Sequence, residues 1–368
     1  MAEQLAEIQT LIDNQLPREA GMARLLSGSI GESPSKYSRS PAMWNAAFKA
    51  VGLDACHVAF DVRSENLEAF VAALRNYDGF IGANVTVPYK LQIMPLLDEI
   101  SPMAAGIGAV NTFERTEEDR LVGHNSDADG LIASMTRQMP DHKNPFIETL
   151  AGMNALLIGA GGAGRAAAFA LSEQLQNGRL VITNRSFERA NELALAVGTT
   201  GANAMAFDHA RSIDEINSFD LVVNASTVGQ SGMRLTPSGK ATCLEPYSSL
   251  APLMQIEIDV PNGSDTFWRT WLDAAADSIL ENNAASLNAM RSLDGKTRFV
   301  DAVYSPDETT LLRHARYSGH SGLNGKGMLV MQAVSSFINR MTRRHLIAAG
   351  LKPETLEQTV IQTMVQAF

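Results

Sequence analysis

The chain has 368 residues, 45% of them hydrophobic and 19% charged, which suits two globular domains with sizeable cores. A formal net charge of -10 excludes a general nucleic-acid binder, which needs a basic footprint, yet leaves room for local cationic sites that hold small anions. Two distant cysteines, Cys56 and Cys243, with no Cys/His cluster argue against a zinc site, and no metal is expected.

Apolar Leu5, Ile8, Leu11 and Ile12 have helical spacing and predict an N-terminal helix over residues 2 to 15, packed on the surface. Acidic Glu3, Glu7, Asp13 and Glu19 lie where a signal peptide would need an apolar core, and no run of roughly 18 apolar residues follows, so neither secretion nor a membrane span is expected. The expected location is cytoplasmic. A strand is predicted near Leu25 to Ser29. Pro41 opens a helix carrying Trp44, Ala47 and Phe48 that stops near Gly52. His57 to Val62 reads as a strand, Leu67 to Leu74 as a helix and Phe80 to Val87 as another strand. This alternation predicts an α/β unit with a largely parallel sheet.

A second alternating unit follows Pro145. Its strands are predicted at Ala155 to Ile158, Leu180 to Thr183, Asp220 to Asn224 and Phe299 to Val303. An Ala-rich helix covers Arg165 to Gln176, stopped by Asn177-Gly178, and another covers Phe187 to Val197. Residues 231 to 297 do not continue the pattern. They contain an amphipathic helix over Thr266 to Leu287, with Trp268, Trp271, Leu272 and Ile279, and read as an insertion between two sheet strands. From about Lys326 to Ala349 the chain is helical.

The loop Gly159-Ala160-Gly161-Gly162-Ala163-Gly164 is a complete GxGxxG between a strand and a helix, the context that a dinucleotide-binding loop requires. The first glycine permits the tight turn, the second lets the backbone approach a pyrophosphate, and the third allows close helix–strand packing. The next strand ends in Asn184-Arg185-Ser186, with Arg189 four residues after Arg185. An NAD-binding fold usually places an acid there for the ribose 2′-hydroxyl. An acid would repel a 2′-phosphate, whereas arginine binds it bidentately, so NADP(H) is the expected cofactor. Arg185 and Arg189 also have an ordinary alternative as solvated helix-face charges.

Four polar clusters precede this loop. An apolar strand runs through Asn84 and Thr86 into Pro88, Tyr89 and Lys90, and the proline-fixed turn presents the lysine at a defined place. The others are Ser38-Arg39-Ser40-Pro41, Gly108-Ala109-Val110-Asn111-Thr112 and Asn125-Ser126-Asp127. Singly each has a plain explanation: a helix cap, a solvated lysine, a turn, an Asx-turn.

Together and in this order the chain resembles the shikimate/quinate dehydrogenase family from about Leu25 to Phe337. The stretches that carry the resemblance are Ser38 to Pro41 with Asn45 to Phe48, then Asn84 to Lys90, Ile107 to Thr112 and Gly123 to Asp127. The glycine loop, Asn184 to Ser186, Asn224 to Thr227, Asp301 to Tyr304 and Met328 to Ala333 complete the set. The resemblance implies a bilobal enzyme: a substrate-binding domain over 1–129 with an N-terminal helical extension, an NADP-binding Rossmann domain over 130–320, and C-terminal helices over 321–368 returning to the first domain. It implies Lys90 and Asp127 as the catalytic pair. Ser38 and Ser40 would take the substrate carboxylate, and Thr86, Asn111, Asp127, Tyr304 and Gln332 its hydroxyls or carboxylate. Gly159, Ala160, Gly161, Gly162, Ala163, Asn184, Arg185, Ser186 and Arg189 would hold the dinucleotide, with Ala302 and Gly325 near the nicotinamide.

The implied reaction is hydride transfer between a nicotinamide and a 3-dehydro acid, in the shikimate route to aromatic amino acids. Lys90 would supply charge stabilisation and a proton to the oxygen that becomes alkoxide, and Asp127 would orient it. The residues leave open which of the two moves the proton. The chain departs from the family pattern at Tyr37 and Trp44, where histidines are usual, and mildly at Ser126. These departures leave shikimate, quinate and related cyclohexanecarboxylates open as substrates. A non-catalytic ligand sensor is the alternative of another class, and retention of Lys90, Asp127 and the glycine loop argues against it. The expected partner is a small hydroxy acid, with the protein a monomer or homodimer.

Overall fold

The structure is a computed structural model that describes residues 2–140, 143–198, 203–208, 219–236, 238–259 and 264–368. Positions 237 and 260–263 of the expected insertion lie outside the described residues. The chain divides into two compact units, Met1–Pro145 with Leu329–Phe368, and Phe146–Met328. The boundaries therefore fall at 145/146 and 328/329, where the sequence suggested 129/130 and 320/321. The helix Ser126–Thr136 crosses residue 130 without a break, and Asp129 on it is bonded to Ser335 and Arg340 of the first unit.

The first unit is built on a six-stranded sheet. Its strands are β1 (Leu25–Gly31), β2 (Ala55–Asp61), β3 (Phe80–Val85), β4 (Glu99–Ile100), β5 (Thr112–Arg115) and β6 (Leu121–His124), in the order β2-β1-β3-β5-β6-β4. β1 pairs in parallel with β2 and β3, whereas β5 runs antiparallel to both β3 and β6. The sheet is thus mixed, and the β5–β6 hairpin has no counterpart among the elements expected from sequence. β5 reads Thr-Phe-Glu-Arg, and only Thr112 and Phe113 are fully buried, so its apolar signal is one residue long.

Cores lie on both faces of this sheet, as parallel strands buried on two sides require. One core joins Leu26, Phe60, Phe70, Phe80 and Phe113. The N-terminal helix Ala2–Thr10 adds Ile8, which is fully buried, so this helix completes a core where the sequence suggested a surface extension. The other core joins Trp44 and Phe48 of the helix Ser40–Val51 to Phe337, Ile338, Val360 and Met364 from the C-terminal helices. Those helices belong to the first unit because their apolar face completes this core.

The second unit holds six parallel strands: β7 (Asn154–Ile158), β8 (Arg179–Asn184), β9 (Asn203–Asp208), β10 (Leu221–Asn224), β13 (Arg298–Asp301) and β14 (Ser321–Leu323). A separate hairpin of β11 (Met233–Leu235) and β12 (Ala241–Cys243) falls between β10 and β13 in the chain. The sheet order is β14-β13-β10-β7-β8-β9. This is the doubly wound dinucleotide-binding order, with its switch point between β7 and β10, where ligands bind beyond the carboxyl ends of the strands. β10 and β13 are hydrogen-bonded neighbours, so residues 231 to 297 are an insertion between adjacent strands. Its helix, Ser264–Ser292, is 29 residues long and packs Phe267, Trp271 and Ala275 against Tyr247, Ala241 and Cys243.

Candidate active site

In the first unit β1, β3 and β6 point the same way, and the segments leaving their carboxyl ends carry the polar clusters. After β3 the backbone turns through Thr86, whose N–H donates to Ile30 O at 2.9 Å. Tyr89 is buried and its hydroxyl donates to Val62 O at 2.6 Å. Lys90 follows directly, and its own carbonyl accepts from Val110 N at 2.8 Å. The lysine backbone is therefore pinned on both sides. Its Nζ lies 2.6 Å from Asp127 Oδ2, with side-chain exposures of 32% for the lysine and 10% for the aspartate.

Asp127 sits in the first turn of Ser126–Thr136, where the helix dipole favours a carboxylate. Asn125 caps that helix, accepting from Asp127 N at 3.1 Å while donating to Ala109 O at 3.0 Å. Asn111 completes the cluster. Its Oδ1 accepts from Ser126 N at 2.7 Å, and its Nδ2 donates to Asp127 Oδ1 at 2.8 Å and to Gln332 Oε1 at 3.1 Å. Lys90, Asn111, Asp127 and Gln332 are thus drawn from four segments into one hydrogen-bonded group. Both carboxylate oxygens of Asp127 are engaged, and the lysine is the solvent-facing end.

Ser38, Ser40 and Thr86 are half-buried in the segments after β1 and β3. Ser38 Oγ accepts from Ser40 N at 3.2 Å, a local bond just ahead of the helix, whose N-cap is Arg39 with no side-chain cap bond. Tyr37 is exposed, with its hydroxyl close to Gly31. Tyr304 belongs to the second unit, exposed just after β13. Trp44, suspected from sequence of shaping the substrate, is a core residue. It is fully buried and stacks on His57 at 4.9 Å between ring centroids.

Sequence reasoning missed a chain of groups behind the cluster. Arg340 donates to Asp129 Oδ2 at 3.0 Å and to His124 Nδ1 at 2.9 Å, so His124 presents Nε2–H to Glu114 Oε1 at 3.0 Å. Ser335 Oγ also donates to Asp129, at 2.7 Å. These bonds hold the helix bearing Asp127 against the helix bearing Gln332. Asp129, two residues beyond Asp127, was the available signal.

The second unit presents a cavity of about 760 Å³ at the switch point. Ile158 to Ala163 line it from the β7 loop, Ala225 to Val228 from the β10 loop, and Asn184, Arg185 and Arg189 from the end of β8. The glycines sort as their chemistry demands. Gly159 has φ +110°, and a Cβ on Gly164 would stand 2.1 Å from Gly159 O, so the helix Gly162–Leu175 starts as close to the strand as backbone allows. A Cβ on Gly161 would meet nothing within 4 Å, so this position keeps open space for a ligand's approach. The helix begins at Gly162, earlier than expected from Arg165, and its first N–H groups suit an anion. Asn184 Oδ1 accepts from Ala160 N at 3.3 Å, tying the β8 end to the glycine loop. Ser186 caps the helix Phe187–Val197 through Arg189 N, a structural duty, and is absent from the cavity lining that its neighbours form.

Beyond β13, Gly325 N donates to Val303 O at 3.1 Å, and a Cβ on Gly325 would lie 2.1 Å from Ala302 O. Ala302 and Gly325 therefore abut each other, outside the cavity lining. Asp301, buried before them, accepts from Asn224 Nδ2 at 2.8 Å and Val303 N at 3.0 Å through Oδ1, and from Thr309 Oγ1 at 2.6 Å through Oδ2. Burial pushes its pKa up to about 6 in spite of these donors.

Residues 30–113 match the shikimate dehydrogenase substrate binding domain, and residues 143–265 match shikimate / quinate 5-dehydrogenase. The shikimate dehydrogenase (NADP(+)) of Geobacter metallireducens is 37% identical over 316 residues, 85% of this chain and 89% of that protein. The chain belongs to the shikimate/quinate dehydrogenase family. It is an oxidoreductase family, and its solved members share this two-sheet α/β fold. Shikimate 5-dehydrogenase from Thermus thermophilus, in complex with NADP(H) and shikimate, is 28% identical, with TM-score 0.61 over 94% of this chain and 100% of that one. Quinate dehydrogenase from Corynebacterium glutamicum, in complex with NAD, is 27% identical, with TM-score 0.63 over 93% and 99%. Against this family background the second match stops at residue 265, and most of the helix Ser264–Ser292 lies beyond it. Among the described residues no helix is long and apolar enough to cross a membrane.

Proposed function

We propose that this family member is an NADP(H)-dependent dehydrogenase that interconverts 3-dehydroshikimate and shikimate. The observation that carries the proposal is the Lys90–Asp127–Asn111–Gln332 cluster, which places one ammonium and several neutral hydrogen-bonding groups together. NADP(H), when bound, supplies or accepts the hydride. Lys90 stabilises the developing alkoxide and gives it a proton from Nζ. Asp127 keeps the ammonium aimed, since both its oxygens are already engaged. Asn111, Thr86 and Gln332 bind ring hydroxyls. Ser38 and Ser40 receive the carboxylate.

The glycine loop from Gly159 to Ala163 fits a pyrophosphate, because Gly161 leaves its approach open. Arg185 and Arg189 at the cavity wall favour a 2′-phosphate, and no acid stands at the end of β8. Ala302 and Gly325 form the bare backbone corner suited to a flat ring. Cys56 and Cys243 are both free and buried, which accords with a reducing, cytoplasmic location.

Steady-state assays of shikimate and quinate, each with NADP and NAD, test the proposal. Shikimate with NADP should give the highest kcat/KM. Preferred turnover of quinate would reassign the substrate, and no reduction with any pair would defeat the enzymatic reading.

A further inference from the structure

The cofactor cavity has a wall that comes from the insertion. Residues 244–257 run as an irregular strap without helix or ladder of its own. Its carbonyls are instead taken up by one face of the helix Ser264–Ser292. Asn282 Nδ2 donates to Ser248 O, Ala251 O and Pro252 O at 3.1, 3.3 and 3.0 Å, while its Oδ1 accepts from Ser248 N at 2.8 Å. Ser278 Oγ donates to Met254 O at 2.7 Å, and Trp271 Nε1 to Ile256 O at 3.0 Å. Residues 271, 278 and 282 share a helical face, so the long helix acts as a rail that sets the strap's path. Thr242 Oγ1 holds the same Ile256 carbonyl at 2.7 Å from β12.

That path brings Ala251, Pro252, Leu253 and Gln255 to the cavity, beside Arg185. Gln255 Oε1 accepts from Arg185 Nη1 at 3.3 Å, and its Nε2 donates to Glu257 Oε1 at 3.4 Å. The second bond fixes which end of the amide faces the arginine. Glu257 is in turn held by Ser238 Oγ at 2.9 Å and Thr236 Oγ1 at 3.2 Å. Asp208, from the end of β9, is a further carboxylate on the lining, so the arginine has to be aimed for a phosphate to be welcome.

We infer that the strap is a preformed wall at the adenosine end of the cavity, and that Gln255 is a positioning residue that presents Arg185 to the 2′-phosphate. Gripping one guanidinium nitrogen leaves Nε and Nη2 as a fork for bidentate phosphate binding. Holding the side chain beforehand removes part of the ordering cost of that contact. The inference rests on the NADP(H) reading above and adds the residue that sets its selectivity.

Binding of 2′,5′-ADP and of 5′-ADP to the full-length protein, measured by calorimetry, tests it without any substrate. Gln255→Ala should weaken 2′,5′-ADP about five- to tenfold, the size of one ordinary net hydrogen bond, and leave 5′-ADP within about twofold. Gln255→Glu, which adds a carboxylate beside Arg185, should weaken 2′,5′-ADP further. In turnover, the KM for NADP should rise with kcat unchanged. An unchanged preference in Gln255→Ala, or equal weakening of both nucleotides, overturns the role of Gln255 and leaves the NADP(H) reading standing. A wild-type protein with no preference for 2′,5′-ADP overturns both.

Discussion

Lys90 and Asp127 show how much a single residue owes to its surroundings. The lysine is exposed by a third, yet its backbone is fixed by a buried tyrosine before it and a carbonyl bond of its own. Lys90→Met should lower kcat at least about a thousandfold, the combined scale of general acid and electrostatic terms, while 2′,5′-ADP affinity stays unchanged. Retained turnover in this variant would remove Lys90 from the chemistry. Asp127→Asn removes the charge and leaves one acceptor oxygen for the two donors, Lys90 Nζ and Asn111 Nδ2. A fall in kcat of about ten- to a hundredfold with a shifted pH–rate profile is expected for an orienting carboxylate. Trp44 gives the opposite lesson. It occupies a position where the family usually has a polar ring, but its neighbours are Phe48, His57 and Phe337, so it reports on packing.

At the scale of elements, the glycine loop was legible because three backbone demands fall at fixed spacing, and each is visible in the fold. Gly164→Ala would place a methyl 2.1 Å from Gly159 O, a backbone atom that has no rotamer by which to retreat. The helix Gly162–Leu175 would have to shift, at a cost of about 1–3 kcal/mol or more, with 2′,5′-ADP affinity falling alongside thermal stability. Unaltered affinity in a folded Gly164→Ala protein would contradict this. The β5–β6 hairpin was not legible, since Glu114 and Arg115 carry no strand signature and the strand exists because β3 and β6 pair with it. The N-terminal helix was legible as a helix, but the burial of Ile8 depends on the core it meets. The strap of the insertion had no readable pattern at all. Its conformation is set by Trp271, Ser278 and Asn282 of a helix later in the chain.

At the scale of the whole molecule, the buried groups His57 and Asp301, one in each unit, answer pH with opposite sign. His57 is held between Ser27 Oγ and Ser29 Oγ at 2.8 and 2.9 Å, and burial pulls its pKa from 6.5 down to about 3. The folded first unit therefore binds fewer protons than the unfolded chain between those values. The stability this confers is whole above pH 6.5 and is lost as pH falls towards 3. Asp301 is raised from 3.8 to about 6, so its contribution is whole below 3.8 and is lost as pH rises through 6. Each pH unit inside a window is worth up to about 1.4 kcal/mol. Scanning calorimetry from about pH 4 to 6, inside both windows, should show His57→Gln flattening the loss on the acid side and Asp301→Asn flattening the loss towards neutrality. Slopes that do not move in opposite directions would refute the assignment. The sequence by itself determined the α/β class, the glycine loop and the family, because those depend on local spacing and on residue chemistry. Only the tertiary structure decided that Asn111 and Gln332 meet Asp127, that Trp44 is core, and that a distant helix shapes the cofactor wall. Those facts rest on contacts between segments far apart in the chain, where no local pattern records which partner a polar group will find.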